Sequence, residues 1–370
     1  MKRLSKPTFS KKTFLDIKKI LNSGNLINGK YANTFEKKIS SYLSIKYCSL
    51  VSSGTAALHL SLLALKIGKG DEVIIPAYSY IATANVIELV GAKPIFVDIN
   101  LDDFCINVEK INEKISSKTK AIMPVHEFGM PSQIDLIKLI AKKKKISIIE
   151  DAACAFGAQF KKKFVGTFGD IGCFSLHPRK NITTGEGGIV VTNNRKIHNY
   201  INAIKNHGME IKNRKKIYVY PGYNYRMTDF QAAIGINQLK SVNLIILKRK
   251  KIALLYNKLL SRFKWIKVPI FFENRKSVFQ SYQILISNEI KLKNLNKFLN
   301  KHSIETNIGA QALHIQDYFK KKYKYKELDY PKSYKAFKRG LVLPIGQHIN
   351  FKDVVNIYKV FKKYNNIVYG

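Results

Sequence analysis

Short apolar runs alternate with segments of helical spacing through the first two-thirds of the chain. Cys48-Ser49-Leu50-Val51 reads as a short strand, the small polar turn Ser52-Ser53-Gly54-Thr55 follows, and 56–65 read as a nearly all-apolar helix. The runs 73–75, 94–98 and 121–126 are each followed by a helical stretch, the first through Glu88, the others over 108–115 and 134–141, before a further run at 146–150. Unbroken apolar runs fit strands buried on both faces, and helices between them fit crossovers of a parallel sheet. The pattern predicts an α/β protein whose mostly parallel sheet is sandwiched by helices. Upstream, Phe35, Ile39 and Leu43 share one side of a helix over 32–43, while residues 1–30 are mixed and end in a loop.

Past residue 170 the pattern turns on one lysine. Phe174 ends an apolar run, Ile189-Val190-Val191 begins the next, and between them Lys180 sits in a polar turn flanked by Gly185, Gly187 and Gly188. Residues 196–207 read as helix and 208–222 as a basic, aromatic loop. The helix 231–239 takes Thr228 or Asp229 as N-cap. A long basic helix over 246–263, strands near 265–268, 281–287 and 340–346, and a helix over 292–302 make a smaller α/β unit. The expected division is therefore 1–245 and 246–370.

Composition narrows the class. With 370 residues, 46% hydrophobic and 24% charged, the chain has the make-up of a globular protein with room for two cores. No apolar run follows the basic N-terminus and none is long enough to span a membrane, so a cytoplasmic protein without signal peptide is expected. The 4 cysteines lack metal-ligand spacing. A net charge of +39 suggests nucleic acid, but the lysines are spread over the whole chain and no basic–aromatic interleaving marks a base-stacking strand. The field would equally draw in small anions.

The chemistry lies at the predicted strand ends. The 52–55 turn at a helix start offers free N–H groups and a dipole to an anion, with a well-capped helix as the plainer alternative. The strand at 146–150 ends in Glu150-Asp151. A lysine for a Schiff base and a carboxylate to hold a pyridine nitrogen protonated are the pair that pyridoxal phosphate requires. Tyr78, Tyr80 and His126 also fall at strand ends, where ligands of open α/β sheets gather.

These motifs, with Gly185-Glu186-Gly187-Gly188 and Gly222-Tyr223-Asn224-Tyr225-Arg226 in the same order, resemble the DegT/DnrJ-type sugar-nucleotide aminotransferases. The resemblance runs from about residue 23 to 345 and is densest over 50–240. It implies the fold-type I architecture, with a seven-stranded sheet and a smaller C-terminal domain, and pyridoxal 5'-phosphate as cofactor. Lys180 would bond the cofactor and shuttle the proton, and Asp151 would pair with the ring nitrogen. Gly54, Thr55 and Ser175 would hold the phosphate, and Tyr80 would stack on the ring. Cys154 would stand near the 3-hydroxyl, where many members carry Gln or His. Asn224 would reach the phosphate of a neighbouring subunit in a homodimer with shared active sites. His314, Arg226 and Tyr78 would belong to the substrate site. The reaction implied is transfer of an amino group, from glutamate as donor, to a nucleoside-diphosphate keto-sugar for glycan biosynthesis. A dehydratase of the same family, which carries histidine in place of the lysine, and a non-catalytic regulatory protein of the same fold are the alternatives. No metal and no specific nucleic-acid partner are expected.

Overall fold

In the computed structural model, which describes residues 1–27 and 29–370, seven strands form the central sheet. They are β1 (Tyr47–Val51), β2 (Glu72–Pro76), β3 (Lys93–Val97), β4 (Thr119–Ile122), β5 (Ser147–Asp151), β6 (Ile171–Ser175) and β7 (Gly188–Thr192). Their order across the sheet is β1-β7-β6-β5-β4-β2-β3. Only β7 runs against its neighbours, β1 and β6; the other six point one way. The sheet is thus the mostly parallel one the apolar runs predict.

Both faces are covered. On β2, Ile74 joins the apolar cluster on one side while Val73 and Ile75 join the cluster on the other, as the two-residue period of a strand requires. The covering helices are α1 (Lys11–Ser23), α2 (Lys30–Leu43), α3 (Gly54–Ala64), α4 (Ala82–Leu89), α5 (Ile134–Lys144), α6 (Arg195–Ile204) and α7 (Asp229–Leu239). Thr228 caps α7 in a reciprocal pairing with Gln231. Asp229, the other candidate cap, turns its carboxylate to the N–H groups of Gly29, Tyr31 and Ala32 at the start of α2.

Beyond α8 (Val242–Leu260), a three-stranded antiparallel sheet of Ile266–Lys267, Tyr282–Ile286 and Gly340–Leu343 packs with α9 (Leu292–Lys301) and α12 (Phe351–Tyr369). Between them lie the shorter α10 (Asp317–Tyr323) and α11 (Pro331–Arg339). Trp265, Tyr282 and Phe361 anchor a separate apolar cluster there. This C-terminal part is tied to the large sheet where Tyr78–Ser79 pairs with Gln311–Ala312. Beside that pairing the Tyr78 hydroxyl donates to Gln283 and accepts from the Ala310 N–H at 3.1 Å.

Several expectations are corrected. Residues 1–30 contain α1, whose buried face is Thr13, Asp16 and Ile20; two of the three are polar, so no apolar period announces it. Asp16 is satisfied there by Lys12 and Asn237. The segment 108–115 forms two short 3-10 turns rather than an α-helix. The strand expected over 121–126 stops at Ile122, with Val125 making only an isolated bridge to Asp151. The helix expected over 196–207 ends at Ile204. The loop 208–222 holds a hairpin, Met209–Lys212 with Lys215–Tyr218, turned at Asn213 and Arg214, both at positive φ as a two-residue hairpin turn demands. The basic helix runs over Val242–Leu260, starting and ending before the expected 246–263.

Candidate active site

Because six strands are parallel, their carboxyl ends open on one edge of the sheet, and a cavity of about 450 Å³ lies there. Three strand ends line it. After β1, the turn 52–53 leads into α3, where Ser53 Oγ accepts the Ala56 N–H at 3.0 Å. The N–H groups of Gly54 and Thr55 precede any intrahelical acceptor. β5 ends at Asp151, with Ala153 and Cys154 following, and β6 ends at Ser175, all on the wall. A Cβ at Gly54 would stand 2.8 Å from the Ser175 Cβ, so glycine is what lets the helix start and the serine meet. That leaves a cradle of backbone donors, a hydroxyl and a helix N-terminus, suited to a phosphate.

Lys180 reaches into the cavity from the turn after β6, and its Nζ lies 3.0 Å from Cys154 Sγ. The turn is held by the Lys180 N–H on the His177 carbonyl and by Gln280 Nε2 on the Arg179 carbonyl. Gly185, at φ 84, takes the left-handed conformation that lets the chain reverse into β7.

Asp151 is buried, and both its oxygens are engaged. Oδ2 accepts from Thr83 Oγ1 at 2.8 Å, and Oδ1 from the Ala153 N–H at 3.1 Å. Burial pushes its carboxyl above the ordinary aspartate value, against the pull of Thr83, the Ala153 N–H and Lys180. Burial alone would lower the Lys180 ammonium, but Cys154, Asp151 and Glu127 outweigh it and hold it above the ordinary lysine value. Burial also raises the Cys154 thiol, with Lys180 opposing. Glu127 lies on the same wall and is pushed up to about 8, by burial first and then by the charge of Asp151. These groups would fit pyridoxal phosphate: an amine that reaches the cavity, a carboxylate held by Thr83 and the Ala153 N–H, and an anion cradle.

Of the residues singled out from sequence, Lys180, Asp151, Gly54, Thr55, Tyr80, Ser175 and Cys154 line this one cavity. Tyr78, His314, Arg226 and Asn224 do not. Tyr78 is fully buried, its hydroxyl occupied by Gln283 and Ala310. His314 is buried against Tyr330, with Nε2 on the Glu327 carbonyl. Arg226 donates to Asn206 and lines a separate cavity with Glu36 and Lys205. Asn224 is exposed, after the hairpin. His126 is buried between Glu150 and Ser132, and Glu150 also takes the N–H groups of Gly166, Phe168 and Gly169, so that pair braces β5 from within. Sequence reasoning missed Thr83 and Glu127. The only signal for Glu127 was a charged residue following the run 121–126.

The sheet, the strand-end cavity and the lysine–aspartate pair define a fold-type I aminotransferase that uses pyridoxal phosphate. The chain belongs to the DegT/DnrJ/EryC1/StrS aminotransferase family, whose sequence pattern matches residues 7–362. It is 38% identical over 332 residues to the GDP-perosamine synthase of Escherichia coli O157:H7, covering 89% of this chain and 88% of that one. Among solved structures it superposes on Spr1654 from Streptococcus pneumoniae in its PMP form, with a TM-score of 0.94, 27% identity and 99% of both chains covered. Helicobacter pylori PseC, an aminotransferase involved in the biosynthesis of pseudoaminic acid, superposes with a TM-score of 0.92 and 27% identity, over 98% of this chain and 99% of that one. No helix among the described residues is long and apolar enough to cross a membrane.

Proposed function

We propose that this enzyme moves an amino group from glutamate to a keto-sugar carried on a nucleoside diphosphate, as a step in building a surface polysaccharide or another glycan. The observation that carries the reading is the Lys180 amine in one cavity with Asp151 and with the anion cradle of Gly54, Thr55 and Ser175. When bound, pyridoxal phosphate supplies an electron sink at its protonated ring nitrogen. Asp151 keeps that nitrogen protonated, and Thr83 keeps Asp151 in place. Lys180 would be the attachment point, and its amine would hold and move the proton at the reacting carbon. Tyr80, exposed on the cavity wall, would cover one face of the ring, and Cys154 stands beside the amine.

The nucleotide sugar is supported by the name of the GDP-perosamine synthase relative and by a net charge of +39 that draws in polyanions. Shared sites in a homodimer fit the position of Asn224, outside its own cavity and next to a hairpin that presents Lys212, Arg214, Lys215, Lys216 and Tyr218 to solvent. Over a second copy's cavity, those cations would meet a diphosphate and the tyrosine a sugar or base. The test is to incubate the purified enzyme with glutamate and a panel of nucleotide-linked 3-keto and 4-keto sugars and to follow mass. One sugar gaining an amine while 2-oxoglutarate accumulates is the expected result; no aminated sugar from any member of the panel would overturn the reading.

A further inference from the structure

Glu127 is the buried acid of the cavity that the roles above leave unused. It is 4% exposed, it follows β4 on the wall shared with Asp151, Cys154 and Lys180, and its neighbour Phe128 holds a left-handed φ of 53°. Its Oε1 accepts the Phe128 N–H at 3.3 Å, but its Oε2 is fully buried and has no hydrogen-bond partner among the described residues. A buried carboxyl oxygen left unpaired is costly, so a partner in the working enzyme is expected.

The chemistry of the site says what that partner is. On the pyridoxal ring, the phenolic oxygen stands ortho to the aldehyde group with which a lysine amine condenses. Side chains around Lys180 Nζ therefore surround that oxygen. One is Cys154, 3.0 Å from Nζ, whose thiol is only a weak donor. We propose that Glu127, carrying its proton, donates a hydrogen bond to the phenolic oxygen of bound pyridoxal phosphate and so acts as a positioning residue for the cofactor. The inference rests on the cofactor site described above.

The groups that face Glu127 agree with a protonated acid. Asp151 and Lys180 bear opposite charges from the end of β5 and the lysine turn, and Cys154 and Tyr78 are neutral, each held up by burial. On its other side a smaller apolar cavity reaches Asp102 and Asp103, each already paired, with Lys267 and Arg275. With two carboxylates on that side, one carboxylate beside it and one ammonium nearby, burial decides, and Glu127 keeps its proton near neutrality.

The experiment titrates the visible absorbance of the holoenzyme against pH in wild type, Glu127→Gln and Glu127→Leu. The anionic ring oxygen favours the protonated form of the nitrogen that joins Lys180 to the cofactor. A hydrogen donated to that oxygen weakens the effect, and removing the donor strengthens it. Glu127→Leu is expected to raise the titration midpoint by about one pH unit, while Glu127→Gln, which still offers N–H donors, stays near wild type. Equal midpoints in all three proteins, equal shifts in both variants, or a lower midpoint in Glu127→Leu would overturn the proposal; the last would mean an ionised Glu127. If Glu127→Leu does not fold, infrared difference spectra of cofactor binding decide. A protonated-carboxyl band that shifts in wild type and is missing in Glu127→Gln supports the proposal, and its absence from wild type overturns it. A wild-type protein that takes up no pyridoxal phosphate would instead defeat the site itself.

Discussion

Thr83 Oγ1, on α4, donates to Asp151 Oδ2, at the end of β5, at 2.8 Å, and Thr83 is in turn 2.9 Å from the Ser79 hydroxyl. The carboxylate is therefore braced by hydroxyls that line the same cavity wall. Asp151→Asn is expected to keep the fold and some cofactor but to slow turnover roughly a hundredfold or more, as loss of one preorganised electrostatic partner does. Thr83→Val, which leaves the charge but removes its brace, should cost roughly tenfold in turnover. Steady-state kinetics with a saturating donor would check both; a near-normal Asp151→Asn would take Asp151 out of its role.

Lys180 should carry the cofactor. The purified protein is expected to be yellow, to bleach with borohydride, and to yield a single modified peptide containing Lys180. Lys180→Ala should lose both the adduct and turnover. Modification of another lysine in this lysine-rich chain would displace the assignment.

The proposed sharing of sites between two copies allows a complementation test. Lys180→Ala and Asn224→Ala dimers are each expected to be inactive or nearly so. When their subunits are exchanged, some mixed dimers should regain one intact site, built from the lysine of one chain and the asparagine of the other. Activity that does not return after exchange has been demonstrated by native mass spectrometry would mean that Asn224 serves no partner.

Glu127 sets a pH dependence on the cofactor-free protein. Its carboxyl sits at about 8 in the folded chain against an ordinary glutamate value of 4.5. Between those values the folded state holds a proton that the unfolded state has released, so raising the pH favours unfolding. Below the lower value both states are protonated and there is no penalty. Chemical denaturation of the apoprotein should show a Glu127 contribution that lowers stability as the pH rises through this window, by at most roughly tenfold in the folding equilibrium per pH unit. The slope should flatten in Glu127→Gln.

Glu150 carries structural weight rather than chemistry. Its buried carboxylate takes three backbone N–H groups and pairs with His126. Burial works against its charge, but His126 and those N–H groups prevail and hold it below the ordinary glutamate value. Glu150→Ala is expected to cost about 3–5 kcal/mol in denaturation, the range for breaking a buried pair.

The fold was legible where single residues announce burial. Strands such as β6 and β7 are buried at every position, and their unbroken apolar runs say so. Helix α1 was not legible because its inward face is held by Asp16 and Asn237 rather than by hydrocarbon. The hairpin was hidden because Asn213-Arg214 is a less telling turn than Asn-Gly, although both residues adopt positive φ. At the site, Lys180 and Asp151 stood out in sequence because the proposed chemistry restricts residue type, and the fold brings both to one cavity. Tyr78 and His314 were misleading for the opposite reason: a polar ring near a strand end looks the same in sequence whether it faces a ligand or closes a core. Glu127 became visible only once burial and an unpaired oxygen could be seen together.

Tyr78 and Ser79 are consecutive, yet they are fastened in opposite directions. Tyr78 is bolted to Gln283 and Ala310 of the C-terminal part, while Ser79 leans on Thr83 and through it on Asp151. The dipeptide works as a rivet through both halves of the enzyme. Spreading the two halves would break buried hydrogen bonds and pull on Asp151, the proposed partner of the cofactor ring. The mouth of the cleft thus has a fixed gauge. Evolving this enzyme toward a bulkier sugar would mean trimming side chains along the rim near Gly309 and Ser281, because the frame that sets the width cannot be stretched without cost to the chemistry.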